Sequence, residues 1–365
     1  MKKILHVISG MNAGGMETMI MNYYRNIDRN KYQFEFLIND SKKVFYEDEI
    51  LSLGGRIHRA PYQKQNIFKN HKEVKNVLNN GNYDVVHVHQ GITYYYPLKY
   101  AKKIGVKNRV VHNHGINRNF LKYLSIYNNL HAKRRISSLG NNFIACSKTV
   151  LDHVFTKRVI DNKNYTILPN AIDVDMYKYN NDLRNKVRSE LKIGNEKVLI
   201  HVGTFTAPKN HTFLINVFNE YLKIDSSAKL ILVGEGALKA DIRDLTVRLG
   251  IEKSVMFLGV RNDVNALLSA CDIMLFPSIY EGLPLTLIEA QASGINVISS
   301  PNVSDECKVT DLVDFVKIDD PNKWVKQIVR TKLNKNRLAY HEKLLKTDFS
   351  IKKATKLLEK IYDKY

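Results

Sequence analysis

Short apolar runs alternate with helical patterns along the whole chain. In the first half the runs read as strands Ile4–Ser9, Phe34–Ile38, Val85–His89, Val110–Asn113, Phe143–Cys146 and Thr166–Leu168. In the second half they read as Val198–Gly203, Leu230–Gly234, Val255–Leu258, Ile273–Phe276, Val297–Ser299 and Phe315–Ile318. Turns rich in Gly, Asn, Asp and Pro separate them. Strand and helix in steady alternation is the signature of βαβ units and parallel sheets, so an α/β chain with two doubly wound domains is expected. The boundary is expected after Pro169-Asn170-Ala171-Ile172-Asp173, near the polar run Tyr179-Asn180-Asn181-Asp182. This divides the chain into residues 1–175, 176–348 and a closing helix over 349–365. That helix carries Ile351, Ala354, Leu357, Leu358 and Ile361 on one face. In doubly wound sheets ligands bind beyond the carboxyl ends of the strands, so a cleft between two such domains is the expected site.

One segment carries chemistry as well as pattern. Glu281-Gly282-Leu283-Pro284-Leu285-Thr286-Leu287-Ile288-Glu289 follows the strand Ile273–Phe276 and reads as a loop entering a helix. Gly282 permits close backbone approach to a ligand. Pro284 suits the first helical turn, where its missing N–H is no loss. Gly294 is placed to end the helix. The first amides and the dipole of such a helix favour an anion such as a diphosphate. A carboxylate one or two turns in can accept hydrogen bonds from sugar or ribose hydroxyls. The segment therefore reads as a site for a nucleotide-diphosphate sugar.

Bulk properties narrow the setting. The chain has 365 residues, 44% hydrophobic and 25% charged, as expected of a soluble globular protein of two domains. No apolar run approaches the roughly 18 residues needed to cross a bilayer. The apolar start Ile4-Leu5-His6-Val7-Ile8 stops at Ser9-Gly10 and reads as a strand rather than a secretion signal. Its three cysteines, Cys146, Cys271 and Cys307, are odd in number and far apart. They imply neither a disulfide framework nor a zinc site, and a cytoplasmic setting is expected. The net charge is +20, and no Asp or Glu occurs from Val85 through Leu151. Such a field attracts nucleic acid or an anionic membrane face. Within it, Phe120-Leu121-Lys122-Tyr123-Leu124-Ser125-Ile126-Tyr127 precedes the basic cluster Lys133-Arg134-Arg135. That arrangement suits an interfacial helix at the inner face of a membrane.

Several motifs in order carry a family resemblance. They are Gly14-Gly15-Met16-Glu17, Pro169-Asn170-Ala171-Ile172-Asp173, Val202-Gly203 leading to Pro208-Lys209-Asn210-His211, Val233-Gly234-Glu235-Gly236, Phe257-Leu258-Gly259-Val260-Arg261, the Glu281/Glu289 segment, and Phe349-Ser350-Ile351. Together the chain resembles the retaining glycosyltransferases of family 4, and among them those that build bacterial capsule and exopolysaccharide. The resemblance implies the GT-B fold: two Rossmann-like doubly wound domains facing a central cleft, with a C-terminal helix crossing back to the first domain. The first domain would bind the acceptor and the second the donor.

By the same resemblance, Gly14 and Gly15 would let a backbone loop pack against the diphosphate. Lys209 would neutralise the leaving diphosphate. Glu281 would contact the donor sugar, and Glu289 the ribose hydroxyls. The amides of Gly282, Leu283, Pro284, Leu285 and Thr286, with proline contributing no N–H, mark the segment lining sugar and phosphates. Val260 and Arg261 occupy the place of the base-binding loop. The family usually has Arg after the glycine at Gly203, and this chain has Thr204. Either Thr204 would supply a weaker hydrogen bond to the phosphates, or a cation such as Arg261 would take part in the clamp.

Two His-x-His pairs, His87/His89 and His112/His114, each place two imidazoles on one strand face. Either pair could bind a metal, and the four together could hold zinc, although the acid-free stretch offers no carboxylate for a hard ion. The preferred reading has the strand ends lining the cleft. His114 matches the family's histidine near the donor sugar, with His112 second, and His89 and Asn170 also line the cleft. Asp173-Val174-Asp175 spells the Asp-x-Asp of metal-dependent transferases but falls in the linker, and is read as accidental. No cofactor and no metal are expected. The reaction expected is same-face transfer from a nucleotide-diphosphate sugar, most simply a UDP-sugar, to a hydroxyl of a glycan or polyprenyl-diphosphate-linked acceptor. Two rival readings are a GT-B sugar-nucleotide epimerase and a basic nucleic-acid-binding protein. No nucleic-acid motif accompanies the charge, so no specific nucleic acid is expected.

Overall fold

In a computed structural model of the chain, residues 1–89, 95–115, 126–281 and 283–365 are described, with the backbone alone at 126–130. The chain forms two compact α/β units. Unit 1 comprises Met1–Ala171 and Ile351–Tyr365, and unit 2 comprises Ile172–Ser350. Unit 2 thus begins a few residues before, and ends just after, the limits expected from sequence.

Unit 1 is built on β1 (Lys2–Val7), β2 (Tyr32–Ile38), β3 (Arg56–Arg59), β4 (Val85–His89), β5 (Asn108–Asn113), β6 (Asn142–Ala145) and β7 (Tyr165–Ile167). They form a seven-stranded sheet in the order β3-β2-β1-β4-β5-β6-β7. Every pairing is parallel. Strand β4 is buried along its whole length, as a central strand covered on both faces should be. The pattern of apolar runs does not show β3. Its sequence Arg56-Ile57-His58-Arg59 is polar because it is the edge strand, with both arginines exposed.

Unit 2 is built on β8 (Val198–Val202), β9 (Lys229–Val233), β10 (Val255–Gly259), β11 (Ile273–Phe276), β12 (Asn296–Ser299) and β13 (Val313–Phe315). The sheet is six-stranded and parallel, in the order β10-β9-β8-β11-β12-β13. The last strand lies at Val313–Phe315 rather than Phe315–Ile318. Val297 pairs with Val313, and the apolar residues Val316 and Ile318 instead pack against the core after the strand has ended.

The helices that bear on function are α1 (Gly15–Asn26), α2 (Ile126–Leu139), α3 (His211–Leu222), α4 (Leu285–Ala292) and α5 (Ile351–Tyr362). Helix α5 packs on unit 1. It buries Ile351, Ala354, Thr355, Leu358, Ile361 and Tyr362, while Leu357 is only partly buried. Each fully buried Ile or Leu contributes roughly 1.5–3 kcal/mol. Polar ties add direction: the Lys2 ammonium donates to the Tyr362 carbonyl at 3.1 Å, and the Tyr32 hydroxyl to Asp363 at 2.7 Å. Among the described residues no helix is long and apolar enough to cross a membrane.

Candidate functional site

In each sheet the chain steps to one side of its first strand and later returns to the other. The strand order therefore reverses between β1 and β4 in unit 1, and between β8 and β11 in unit 2. Loops leaving the carboxyl ends at such a point diverge and open a crevice.

In unit 2 the β8 loop runs through Gly203, Thr204 and Phe205 to a single 3-10 turn, Ala207–Lys209, and then into α3. Asn210 takes the left-handed conformation between turn and helix, with φ 56°. Its carboxamide donates to the Pro277 carbonyl after β11, and the Ile279 amide donates back to the Pro208 carbonyl at 2.8 Å. These bonds tie the two loops together. The result is that Lys209 Nζ lies 2.7 Å from Glu281 Oε1. The same ammonium sits 4.7 Å from the Phe276 ring centroid. Both side chains are mostly covered, at 16% and 23% exposure.

Close packing shapes the floor of this loop. A Cβ on Gly203 would sit 3.2 Å from the Lys209 side chain, and one on Gly234, at φ +137°, would strike the Gly203 carbonyl at 2.1 Å. The Val233-Gly234-Glu235-Gly236 motif therefore supports the Gly203 loop: Gly203 N donates to Val233 O, and Phe205 N to Glu235 O. His211 stacks on Phe205 with ring centroids 4.1 Å apart. Burial, with the nearby Lys209 charge second, pulls its pKa down to about 4.

Helix α4 has Pro284 at its N-cap, one position earlier than the first helical turn, and Gly294 at φ +71° just past its end. Its opening amides have no earlier turn to donate to, which leaves a positive end. One turn in, Glu289 is 8% exposed. Burial raises its pKa to about 7, and a hydrogen bond with Tyr177 partly offsets this. Glu289 is therefore not an ordinary solvated helix carboxylate. Leu283 and Thr286 are partly exposed and Leu285 is buried, while Gly282 lies outside the described residues.

The other residues expected at the donor site are arranged differently. Thr204 is exposed, with its hydroxyl 3.4 Å from that of Thr206. Val260 is exposed and follows β10, the outermost strand, two positions from β8. The Arg261 guanidinium is committed to Asp263 in a bidentate pair at 2.7 and 2.6 Å. Arg337, which the sequence reading passed over, is a structural hub: it donates to the carbonyls of Leu268, Ser269, Cys271 and Ser293. The Asp173-Val174-Asp175 carboxylates have local uses. Asp173 caps a 3-10 turn, and Asp175 Oδ1 lies 2.9 Å from His341 Nε2.

In unit 1, Gly14 is the N-cap of α1. A Cβ there would fall 2.3 Å from Glu17 Oε2. The Glu17 carboxyl thus folds over the glycine turn, where a diphosphate was expected to pack, and its burial raises its pKa. Gly15 is exposed and has open space around it. Beyond β1 and β2 a cavity of about 430 Å³ is lined by Val7, Leu37, Asn39, Tyr62, Asn70 and Val74 among others. The helical segment expected at a membrane surface, Phe120–Tyr127, falls mostly outside the described residues. Of the basic cluster, Arg135 lies 5.6 Å from the Tyr95 ring centroid.

The strand-borne histidines form a single face. His6 on β1 registers with His87 on β4, and His89 with His112 on β5. His114 continues the same face just past β5. His6, His87, His89 and His112 are each 1% exposed. Burial is the first cause that pushes the pKa of all of these imidazoles down, with neighbouring imidazoles adding to it at His6, His87, His89 and His112. At His114 burial pulls the pKa to about 3, against an upward pull from Asn170. The sequence shows His87/His89 and His112/His114 as pairs. It does not show that His6 joins them, because that depends on strand register.

With the two sheets and their loops in place, comparison with known proteins is informative. Residues 13–176 match the model of Glycosyltransferase Family 4, and residues 183–337 that of Glycosyl transferases group 1. A putative glycosyltransferase, EpsF, of Bacillus subtilis is 32% identical over 340 residues, covering 90% of this chain and 87% of the relative. The capsular polysaccharide biosynthesis glycosyltransferase CapH of Staphylococcus aureus is 25% identical over 99% of both chains. Among solved structures, Anabaena Alr3699/HepE in complex with UDP superposes with a TM-score of 0.81 at 17% identity, covering all of both chains. A fold of two parallel-sheet units, matched by these family models over residues 13–176 and 183–337 and by a relative 32% identical over 90% of the chain, makes the chain a member of the family 4 glycosyltransferases with the GT-B fold.

Proposed function

We propose that this protein is a retaining glycosyltransferase that moves a hexosyl group from a UDP-sugar to a hydroxyl of a glycan or polyprenyl-diphosphate-linked acceptor in surface polysaccharide biosynthesis. The observation that carries the reading is the Lys209–Glu281 pair at 2.7 Å, held where the strand order of unit 2 reverses. A mostly covered ammonium at this position is suited to a diphosphate whose negative charge grows as it leaves. On donor binding the phosphates take over Lys209, and Glu281 is left to accept from sugar hydroxyls. The amides at the start of α4 add to the positive end, and buried Glu289 accepts from the ribose. No metal is needed at the diphosphate in this scheme, because Lys209 and helix amides supply the positive charge. The CapH and HepE likenesses support the pathway and the uridine base, respectively.

In this reading unit 1 serves the acceptor. Its cavity mixes apolar walls with the amides of Asn39 and Asn70, and Asn70 Oδ1 is buried without a hydrogen-bond partner. His114 is assigned as a hydrogen-bonding, positioning group for the donor sugar. The basic surface of unit 1 is assigned to the anionic inner face of the cell membrane, with the protein cytoplasmic and peripheral. Flotation with vesicles of neutral and anionic lipid tests this, and equal recovery with both would remove it.

The donor site is tested by thermal unfolding with UDP, GDP and ADP, each in EDTA, for wild type and Glu289→Ala. A ligand at 100 times its dissociation constant stabilises by about 2.7 kcal/mol. A shift with UDP that Glu289→Ala abolishes is the expected result. No shift with any nucleotide overturns the donor site. NMR of the product of a transfer assay then reads the anomeric configuration, and inversion would refute retention.

A further inference from the structure

The histidine face of unit 1 holds more than a row of hydrogen-bonded rings. One nitrogen from each of His89, His112 and His114 lies within 4.8 Å of the other two. His89 Nδ1 and His114 Nε2 are 2.8 Å apart. His112 Nε2 is buried and has no hydrogen-bond partner. The outward nitrogens of these rings meet a second layer. His89 Nε2 lies 2.9 Å from His6 Nδ1, and His112 Nδ1 lies 3.2 Å from His87 Nε2. His87 Nδ1 in turn lies 2.8 Å from the Tyr362 hydroxyl. His114 Nδ1 and Asn170 Oδ1 are both buried without a partner of good geometry, and Asn170 is the side chain acting on His114.

The ring partners allow one set of tautomers that suits a metal, reached from the metal-free His89–His114 hydrogen bond by moving one ring's proton to its other nitrogen. If His112 donates from Nδ1 to His87, its Nε2 carries a lone pair. If His89 donates from Nε2 to His6, its Nδ1 carries one. If His114 turns its Nδ1–H toward Asn170, its Nε2 carries the third. Each ring then offers one lone pair within a cluster whose ligand atoms lie within 4.8 Å of one another, and each is steered by a separate outer partner, as metal-binding histidines are.

We propose that His89 Nδ1, His112 Nε2 and His114 Nε2 form a site for one divalent transition-metal ion of the zinc class. Three neutral nitrogens without a carboxylate suit zinc or cobalt(II) and not magnesium or calcium. Bonds of about 2.0–2.1 Å in tetrahedral geometry put ligand nitrogens about 3.3–3.4 Å apart, so the His89–His114 contact opens by about half an ångström on binding. His6, His87 and His89 form a second triad, but all three are buried, and Phe34 and Phe36 pack on the His6 ring. The site with His114 is the one with access, because His114 is partly exposed at its strand end. The fourth position is left to water or a ligand oxygen. The ion is separate from the transfer chemistry assigned to Lys209; with the metal bound both His114 nitrogens are engaged, so the hydrogen bond to the donor sugar assigned above belongs to the metal-free form.

The test is titration of EDTA-stripped, desalted protein with Co2+ and Zn2+. Co2+ should give the visible absorption of a low-coordinate nitrogen site at one ion per chain, and Zn2+ should displace it. Competition with a chromophoric chelator then gives affinities. His112→Gln and His114→Gln should each lower Zn2+ affinity by 100-fold or more. The outer-partner changes His6→Phe and Asn170→Ala should lower it on the order of 10- to 100-fold. Mg2+ should give no competition. His114→Gln is the decisive variant because His114 is partly exposed at its strand end, and an unchanged far-UV spectrum would show that it folds. Absence of the Co2+ band, or wild-type affinity in His114→Gln, overturns the proposal.

Discussion

The two units carry opposite chemistry at equivalent places. Beside the switch from β8 to β11, unit 2 holds a cation against a carboxylate, with a second carboxyl buried one turn into a helix. Beside the switch from β1 to β4, unit 1 holds imidazoles that burial keeps uncharged. The first arrangement stabilises an anion whose charge changes during a reaction. The second offers hydrogen bonds and lone pairs but no net field. A shared architecture thus leaves the chemistry of each site to a few side chains.

The comparison breaks first on Lys209. Lys209→Ala should lower kcat on the order of 10²- to 10³-fold in a transfer assay, the usual loss when one fixed electrostatic partner is removed. His114→Gln should cost only about five- to tenfold, the worth of one hydrogen bond near 1 kcal/mol. If the two losses come in the reverse order, the charged site of unit 2 is not where the barrier is lowered.

Opposite pH slopes sharpen it next. Glu289 has a folded-state pKa raised from 4.5 to about 7. Between those values the folded chain holds a proton that the unfolded chain has lost, so stability falls as pH rises through the window. At 1.36 kcal/mol per unit the effect reaches at most about 3 kcal/mol. Trp324 is the chain's one tryptophan and is fully buried in unit 2, so its fluorescence follows that unit. By this transition, wild type should lose stability relative to Glu289→Gln as pH rises from 5 to 7, a difference to which the buried His201 and His211 of unit 2, which act in the opposite direction in both proteins, do not contribute.

The imidazoles of unit 1 act in the other direction. Their folded pKa values lie below the ordinary 6.5, so below that pH the unfolded chain binds more protons. Unit 1 should gain stability as pH rises toward 6.5 and level off above it. Hydrogen exchange of β4 and β5 amides in EDTA measures this, and His87→Phe should shallow the slope. The smallest effect belongs to Arg261. An exposed pair such as Arg261–Asp263 is worth about 0.2–1 kcal/mol. Arg261→Ala should change UDP affinity by no more than about fivefold by calorimetry.

These regions also differ in how far they could be read in advance. The Glu281/Glu289 segment lies within one loop and one helix, so its chemistry is legible as a local motif. Lys209 is legible as part of the Lys209-Asn210-His211 run. The bonds that bring Lys209 to Glu281, between Pro208 and Ile279 and between Asn210 and Pro277, join distant parts of the chain and leave no local trace. The histidine face is harder still. It is assembled from three strands, and His6 enters only because β1 pairs with β4 in one register. Glu17 was visible beside the glycines, but its fold-back over Gly14 depends on a side-chain conformation. Strand β3 escaped because an edge strand needs no apolar run, and Arg261 looked available, although Asp263 stands two residues on, because the sequence does not show which neighbouring charges pair.

Helix α5 has a consequence for biosynthesis. Unit 2 is one continuous stretch, residues 172–350, whereas unit 1 joins residues 1–171 to 351–365. A chain emerging from the ribosome presents its early residues first, and domains tend to fold as they emerge. Unit 2 can close its core while unit 1 still lacks a wall. Tyr362, which packs edge-on to Phe34 and reaches His87, is put in place only when α5 has emerged. The unit begun first is therefore completed last, and until then its aromatic and imidazole layer stays open to chaperones and proteases.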